Sequence, residues 1–399
     1  MFTLFDLFGR EVAVQWGLYW VLQVLDQNAF RAFFAAVMAF FVVLALGRRT
    51  IRWLREKKIG DAGVTDAAAL REIAYSKKDV PTMGGILIVG SILATTLTLA
   101  NLSNFYVLLA IVVMLWLAVL GGFDDWLKLT AQTRGSGRQG LYGWEKLVFQ
   151  FGLGVLVAYF AFNHGRLEPP ADGAPAPALD GSMAHVLCLP FQKTYESGIG
   201  TVADGLWYLP MGLYIVLGVL MIAGLSNAVN ITDGMDGLAA GCTATVSLGL
   251  LLLAAIAGTQ GWAHYLLVPF VPQTDELAVV AGAMMGACLG FLGFNCSPAA
   301  VFMGDTGSLA LGGLIGYIAM VVRQEIIVLA MCGIFLAEIG SVVLQVGYFK
   351  ATKGKRIFLC APYHHHLHRL GWPEPQVVTR LWIVTVLLVV LSLATLKLR

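Results

Sequence analysis

Charge is what this 399-residue sequence has least of. Asp, Glu, Lys and Arg make up 13% of it, against 58% hydrophobic residues. A soluble domain carries about a quarter charged residues, so the composition excludes one and implies a membrane protein. The net charge of +2 is too small to argue for nucleic acid as a partner. Six cysteines, at 188, 242, 288, 296, 332 and 360, show neither CxxC metal spacing nor a disulfide framework. They read as buried free thiols in or beside apolar runs. The first 16 residues hold Asp6, Arg10 and Glu11 and no cleavage-type signal sequence, so a short interfacial helix is expected there. No GxxxxGK phosphate loop occurs, and no repeat period stands out. Glycine-rich LGGLIG (311–316) reads as a helix-packing surface.

What is present is apolar run after apolar run. Spans are expected near 29–46, 83–100, 105–122, 147–163, 206–225, 241–258, 277–294, 309–322, 326–349 and 378–396. The ninth is long enough to be tilted or broken. The fold class is therefore all-α: one polytopic membrane domain over 1–399 with about ten transmembrane helices. Nineteen of the 26 Lys and Arg residues fall in stretches 47–80, 123–146 and 350–380, all connectors of one parity. The positive-inside rule puts those connectors in the cytoplasm and both termini outside. The longest outer connector, about 164–205, contains EPPADGAPAPALDG, which suits a loop more than a packed domain.

The unusual polar clusters share that cytoplasmic parity. GGFDDWLK sets Asp124 and Asp125 at the end of a span. SNAVNITDGMDG carries Asn227, Asn230, Asp233 and Asp236 at intervals of three, which a helix would stack along one side. NCSPAAVFMGDTGS holds Asn295, Phe302 and Asp305, and APYHHHLH holds His364, His365, His366 and His368. Each has a plainer reading. The Asp pair suits a solvated helix end, GDTGS an Asp turn ahead of a capped helix, and HHH a neutral loop. Together they imply more, because acids at membrane depth cost roughly 2.5–3.5 kcal/mol each on insertion scales and mark function. Adjacent residues point different ways, so only one of Asp124 and Asp125 is expected to face a given metal. A hard divalent cation such as Mg²⁺ takes one or two carboxylates plus substrate phosphate. Lys77 or Lys78, with Lys128 and Lys146, would screen a diphosphate. Acids for metal, bases for phosphate and an opening to lipid suggest phosphoryl transfer to a membrane-bound acceptor.

PTMGG (81–85), GFDDWLK, SNAVNITDGMDGLA, FMGDTGSLALGG (302–313) and APYHHHLHRLGWPEPQVV (361–378) occur in that order. The chain thereby resembles the phospho-N-acetylmuramoyl-pentapeptide transferases of bacterial cell-wall synthesis, over roughly 45–398. The resemblance implies transfer of phospho-MurNAc-pentapeptide from UDP to undecaprenyl phosphate, giving lipid I and UMP. It also implies Mg²⁺ as cofactor, a multi-pass location in the bacterial inner membrane with the site facing the cytoplasm, and a homodimer. Carried onto this sequence, it makes Asp305 a direct Mg²⁺ ligand and gives Asp125 support of metal or diphosphate. Asp124 becomes the group that activates the lipid phosphate. His364, His365 and His366 fall near the sugar phosphate, and Lys128 and Lys146 contact phosphate. Lys77, Asn227, Asn230, Asp233 and Asp236 become nucleotide-site residues, with Asn295 and Phe302 beside the uracil. Two positions depart from the pattern: Val80 stands where Thr is usual, and HLH replaces an aromatic followed by Glu. A sister enzyme transferring a UDP-linked N-acetylhexosamine 1-phosphate, and a cation-coupled transporter, are the competing readings.

Overall fold

The computed structural model describes residues 23–57, 80–134, 140–167, 182–196 and 201–398. The expected N-terminal interfacial helix, Lys77 and Lys78 lie outside the described residues. In chain order the main helices are α1 (Asn28–Glu56), α2 (Gly85–Leu99), α3 (Phe105–Arg134), α4 (Gly143–Leu167), α5 (Met211–Thr232) and α6 (Leu238–Ala257). They continue with α7 (Gln260–Leu266), α8 (Leu277–Asn295), α9 (Gly304–Val321), α10 (Glu325–Met331), α11 (Gly333–Ala351), α12 (Tyr363–Arg369) and α13 (Glu374–Thr395). Among the described residues, nine helices are long and apolar enough to cross a membrane; α2, with 15 residues, is shorter. A helix lies over each of the ten expected apolar stretches. The ninth is broken: α10 ends at Met331, and α11 restarts at Gly333 after the Cys332 hinge.

Helix α9 is the hub. Every residue from Thr306 to Val321 is buried, and α9 packs on α2, α3 and α5. Its glycines make this possible. A Cβ on Gly312 would land on the Leu225 backbone, and one on Gly316 on the Met221 backbone, both in α5. LGGLIG is thus a packing surface, as its composition implied. The outer helices show the complementary pattern. Phe30, Phe34, Val37, Phe41 and Leu44 on α1, and Val343, Leu344 and Val346 on α11, are exposed. Such stripes belong against lipid, and the chain is a multi-pass membrane protein.

Two details differ from expectation. Helix α3 runs on past residue 122 to Arg134, since leaving the hydrocarbon does not end a helix that meets no Pro. EPPADGAPAPALDG lies outside the described residues; the described parts of that connector carry two isolated bridges. Val186 bridges Tyr208, and Tyr195 bridges Val202. Arg323, buried beside Glu325 at 2.7 Å, donates to the Val186 carbonyl at 2.8 Å. Of the six thiols, all free, Cys296 is exposed and Cys360 half-buried; only the other four are buried.

Candidate active site

The extension of α3 carries Asp124, Asp125 and Lys128 beyond the apolar run, and α9 begins opposite it. Asp124 and Lys128 are one helical turn apart and pair at 2.7 Å. Lys146, in the first turn of α4, reaches the same Asp124 Oδ2 at 2.7 Å and Asp305 Oδ2 at 2.6 Å. Lys128 lies 3.2 Å from Asp305. Two carboxylates and two ammonium groups therefore alternate around a square drawn from three helices. Side-chain exposure rises from 0% at Asp124 through 13% at Asp305 and 17% at Lys146 to 45% at Lys128, so a ligand meets Lys128 first. The second oxygen of Asp124 accepts from Leu141 N at 2.6 Å.

Asp125 points the other way, as adjacent helix residues must. Its oxygens accept from Asp305 N (3.1 Å), Thr306 N (3.0 Å) and Thr306 Oγ1 (2.8 Å). These are the orphan donors at the start of α9, and a carboxylate there also complements the helix dipole. The GDTGS turn is accordingly the first turn of a helix, with its cap supplied from α3. Asp125 thereby fixes the backbone on which Asp305 stands. PTMGG completes the setting: Gly84 N and Gly85 N donate to the carbonyls of Phe302 (2.8 Å) and Met303 (2.7 Å), and Phe302 N donates to Pro81 O (2.9 Å).

The ladder divides. Helix α5 ends at Thr232, so only Asn227 and Asn230 share its face, and a turn through Gly234 and Met235 separates Asp233 from Asp236. Asn227 donates to Gln150 Oε1 (2.6 Å) and Asn230 to Ser308 Oγ (2.9 Å). Asp233, half-buried, accepts from the Gly304 backbone and faces Asp305. Asp236 turns away and accepts from Ala299 N at 3.1 Å. Asn295 is buried, with its carbonyl taken by Gly237 N (3.0 Å) and its amide given to Val301 O (2.9 Å). Phe302 is half-buried.

The three histidines diverge on the short helix α12. His364 is buried, and its Nδ1 sits 3.0 Å from Glu338 Oε2 of α11. His366 Nδ1 accepts from Leu359 N at 3.3 Å. His365 and His366 are half-buried, and His368 bonds the Trp372 carbonyl at 3.0 Å.

The sequence profile of glycosyl transferase family 4 matches residues 106–323, the stretch that supplies the whole acid–lysine square. Phospho-N-acetylmuramoyl-pentapeptide-transferase of Desulfotalea psychrophila is 43% identical over 369 residues, covering 92% of this chain and 93% of the relative. The chain belongs to the phospho-N-acetylmuramoyl-pentapeptide transferases of glycosyl transferase family 4. Transferases of the same name from Thermodesulfovibrio yellowstonii and Neisseria gonorrhoeae are 41% and 40% identical over 378 residues, each covering 95% of this chain and 96% of the relative.

In this transferase, sequence reasoning missed Gln150, Glu338 and Glu374. Gln150 and Glu338 are fully buried polar groups inside apolar spans, a signal that could have found them. Glu374, which accepts from Asp236 N at 2.9 Å, left no such trace.

Asp233 lies just beyond the end of α5. Burial, reinforced by the Asp305 carboxylate, pushes its carboxyl up to about 7, against about 4 in an unfolded chain. A carboxyl raised on folding favours the folded state least when ionised. The penalty is absent below about pH 4, grows through pH 7 and then levels. Asp233→Asn should therefore melt higher than wild type in detergent without divalent cation, by a margin that widens from pH 5 to 7 and is flat above about 8. Parallel melting curves across that range would contradict the assignment.

Proposed function

We propose that the transferase moves phospho-N-acetylmuramoyl-pentapeptide from its UDP carrier to undecaprenyl phosphate, giving lipid I and UMP. The Lys/Arg bias of the connectors supports a site on the cytoplasmic side of a bacterial inner membrane, and the resemblance supports a homodimer. The observation that carries the reading is the square of Asp124, Lys128, Lys146 and Asp305. It joins two cations suited to phosphate to carboxylates, beside the exposed Phe123 and Trp126 of α3.

The donor set fits Mg²⁺. Four carboxylates (Asp124, Asp125, Asp233 and Asp305) stand against two ammonium groups, a shortfall of two positive charges when all are ionised. Among the described residues no three Asp, Glu, His or Cys side chains converge with ligand spacing. That matches an ion held by one or two carboxylates and otherwise by water and substrate phosphate. Asp305, the more exposed carboxylate of the square, would hold it, and the ion would supply charge neutralisation at the diphosphate.

Lys128 and Lys146 receive the anionic groups. As phosphates draw these ammonium groups outward, Asp124 Oδ2 loses its partners and becomes free to accept a proton from the lipid phosphate. An oxygen of that phosphate then attacks the phosphorus attached to the sugar, the bond to the UMP oxygen breaks, and UMP leaves with the electron pair. Asp124 is buried and bound through both oxygens, which supports direct attack by the lipid phosphate over a covalent aspartyl intermediate. The residues contribute positioning and electrostatic stabilisation, the terms that dominate phosphoryl transfer. Phe302 offers a face for the uracil, with Lys77, Asp233 and Asp236 also assigned to the nucleotide. Asn227, Asn230 and Asn295, whose amides already bond within the protein, shape that seat from beneath. His365 and His366 are the half-buried members of the HHH run, and His364 the buried one.

Purified protein should release UMP from UDP-MurNAc-pentapeptide only when undecaprenyl phosphate and Mg²⁺ are both added. Equal turnover of UDP-GlcNAc would transfer the reading to the sister class. Solute movement in proteoliposomes without UMP release would replace it by transport.

A further inference from the structure

Glu338 is fully buried in α11, at a depth where an acid needs a reason to exist. One of its oxygens, Oε2, accepts from the backbone N–H of His364 at 3.2 Å and faces the Nδ1 of the same residue at 3.0 Å. Two contacts from a single oxygen to the main chain and the ring of one residue fix both the start of α12 and the ring's rotation. With Nδ1 facing an acceptor, that nitrogen carries the hydrogen. Nε2 then projects from the opposite edge of the ring.

Nε2 of His364 is sealed from solvent and has no hydrogen-bond partner among the described residues. It abuts the turn between α5 and α6: a Cβ built on Gly234 would collide with it. Gly234 follows Asp233, whose carboxylate faces Asp305 and accepts from the Gly304 backbone. A continuous line of contact thus runs from Glu338 through the His364 ring and Gly234 to Asp233 and the start of α9. His365 and His366 stand apart from this line, half-buried on other sides of α12.

We infer that Glu338 and His364 form a buried strut that seats the Asp233 turn against Asp305, so that the histidine motif divides into one positioning residue and two residues facing the substrate. In this role His364 moves no proton to or from the substrate. Glu338 acts only through His364, and His364 only through the turn.

The activity arms of the test rest on the proposed transfer reaction; the exchange arm does not. In full-length protein in detergent, hydrogen exchange of the 233–237 amides is expected to rise in Glu338→Ala and His364→Ala and to stay near wild type in Glu338→Gln. If wild type shows no transfer but this exchange pattern holds, the strut stands and the reaction assignment fails. For transfer, Glu338→Ala and His364→Ala should each lower kcat/KM by about 100-fold, and the double variant should fall at most about threefold further, because the two act as one unit. His364→Asn retains a donor near the position of Nδ1 and should recover at least about tenfold over His364→Ala. Additive losses in the double variant, or unchanged exchange at 233–237 in both alanine variants, would overturn the strut. So would His364→Asn as inactive as His364→Ala with normal exchange. Should Glu338→Ala fail to fold, His364→Ala against wild type and His364→Asn carries both the exchange and the transfer comparison.

Discussion

Replacing Asp305 with Asn is expected to lower kcat by about 10²–10³-fold while leaving the fold in place. The carboxylate touches Lys146 at 2.6 Å and Lys128 at 3.2 Å, and an amide of the same shape keeps neither ion pair. Removing one preorganised charge from a reacting centre costs about 10²–10³ in kcat, and each 1.36 kcal/mol placed on the barrier is tenfold in rate. Both lysines would then collapse onto Asp124 and meet an incoming phosphate later and less readily. Folding should survive, because the cap on α9 uses the backbone N–H of residue 305 and not its side chain. Steady-state UMP release beside a melting curve checks both halves. Activity within tenfold of wild type at normal melting temperature would remove Asp305 from the reacting centre.

Gly304→Ala should damage the same centre without touching a charge. Gly304 has φ +74, a conformation that costs an L-residue with a Cβ about 1–2 kcal/mol. The added carbon would also lie 2.8 Å from Asp125 Oδ2 and 3.2 Å from Met83 N. Asp125 must retreat, and the hydrogen bonds that hold residues 305 and 306 loosen with it. We expect a melting temperature lower by several degrees together with a loss in kcat of about tenfold or more, through misplacement of the carboxylate. Gly90→Ala is the control, since a Cβ there meets nothing within 4 Å. If the two variants behave alike, the glycine at 304 is dispensable.

Much of this architecture was legible because hydropathy is a local property. The apolar helices could be placed from apolar runs, and the break in 326–349 was visible as excess length. The polar ends of helices were not, since α3 continues as a helix through Asp124, Asp125 and Lys128 where hydropathy falls. Residue types on one parity of connectors were legible, and the structure brings four of those residues, Asp124, Asp305, Lys128 and Lys146, together. Their partnerships were hidden, because Asp125 caps a helix that begins about 180 residues later and Lys146 links α3 to α9 from a third helix. The even spacing of Asn227, Asn230, Asp233 and Asp236 misled, as periodicity describes a helix only while the helix lasts. Gly234 and Gly237 were the available warning.

The glycine face of α9 has a consequence for accuracy in the reaction. Close approach at Gly312 and Gly316 allows one axial setting of α9 against α5, because a one-residue slip rotates the helix by about 100° and shifts it about 1.5 Å. That shift would drive a leucine into backbone. Reactive groups need placement within about 0.5 Å, finer than any single ion pair to a flexible lysine guarantees. The membrane interior therefore serves as the gauge block of this enzyme. Asp305 inherits its position from contacts several turns away, and a drifted packing glycine would be read out at the cytoplasmic end as a catalytic defect.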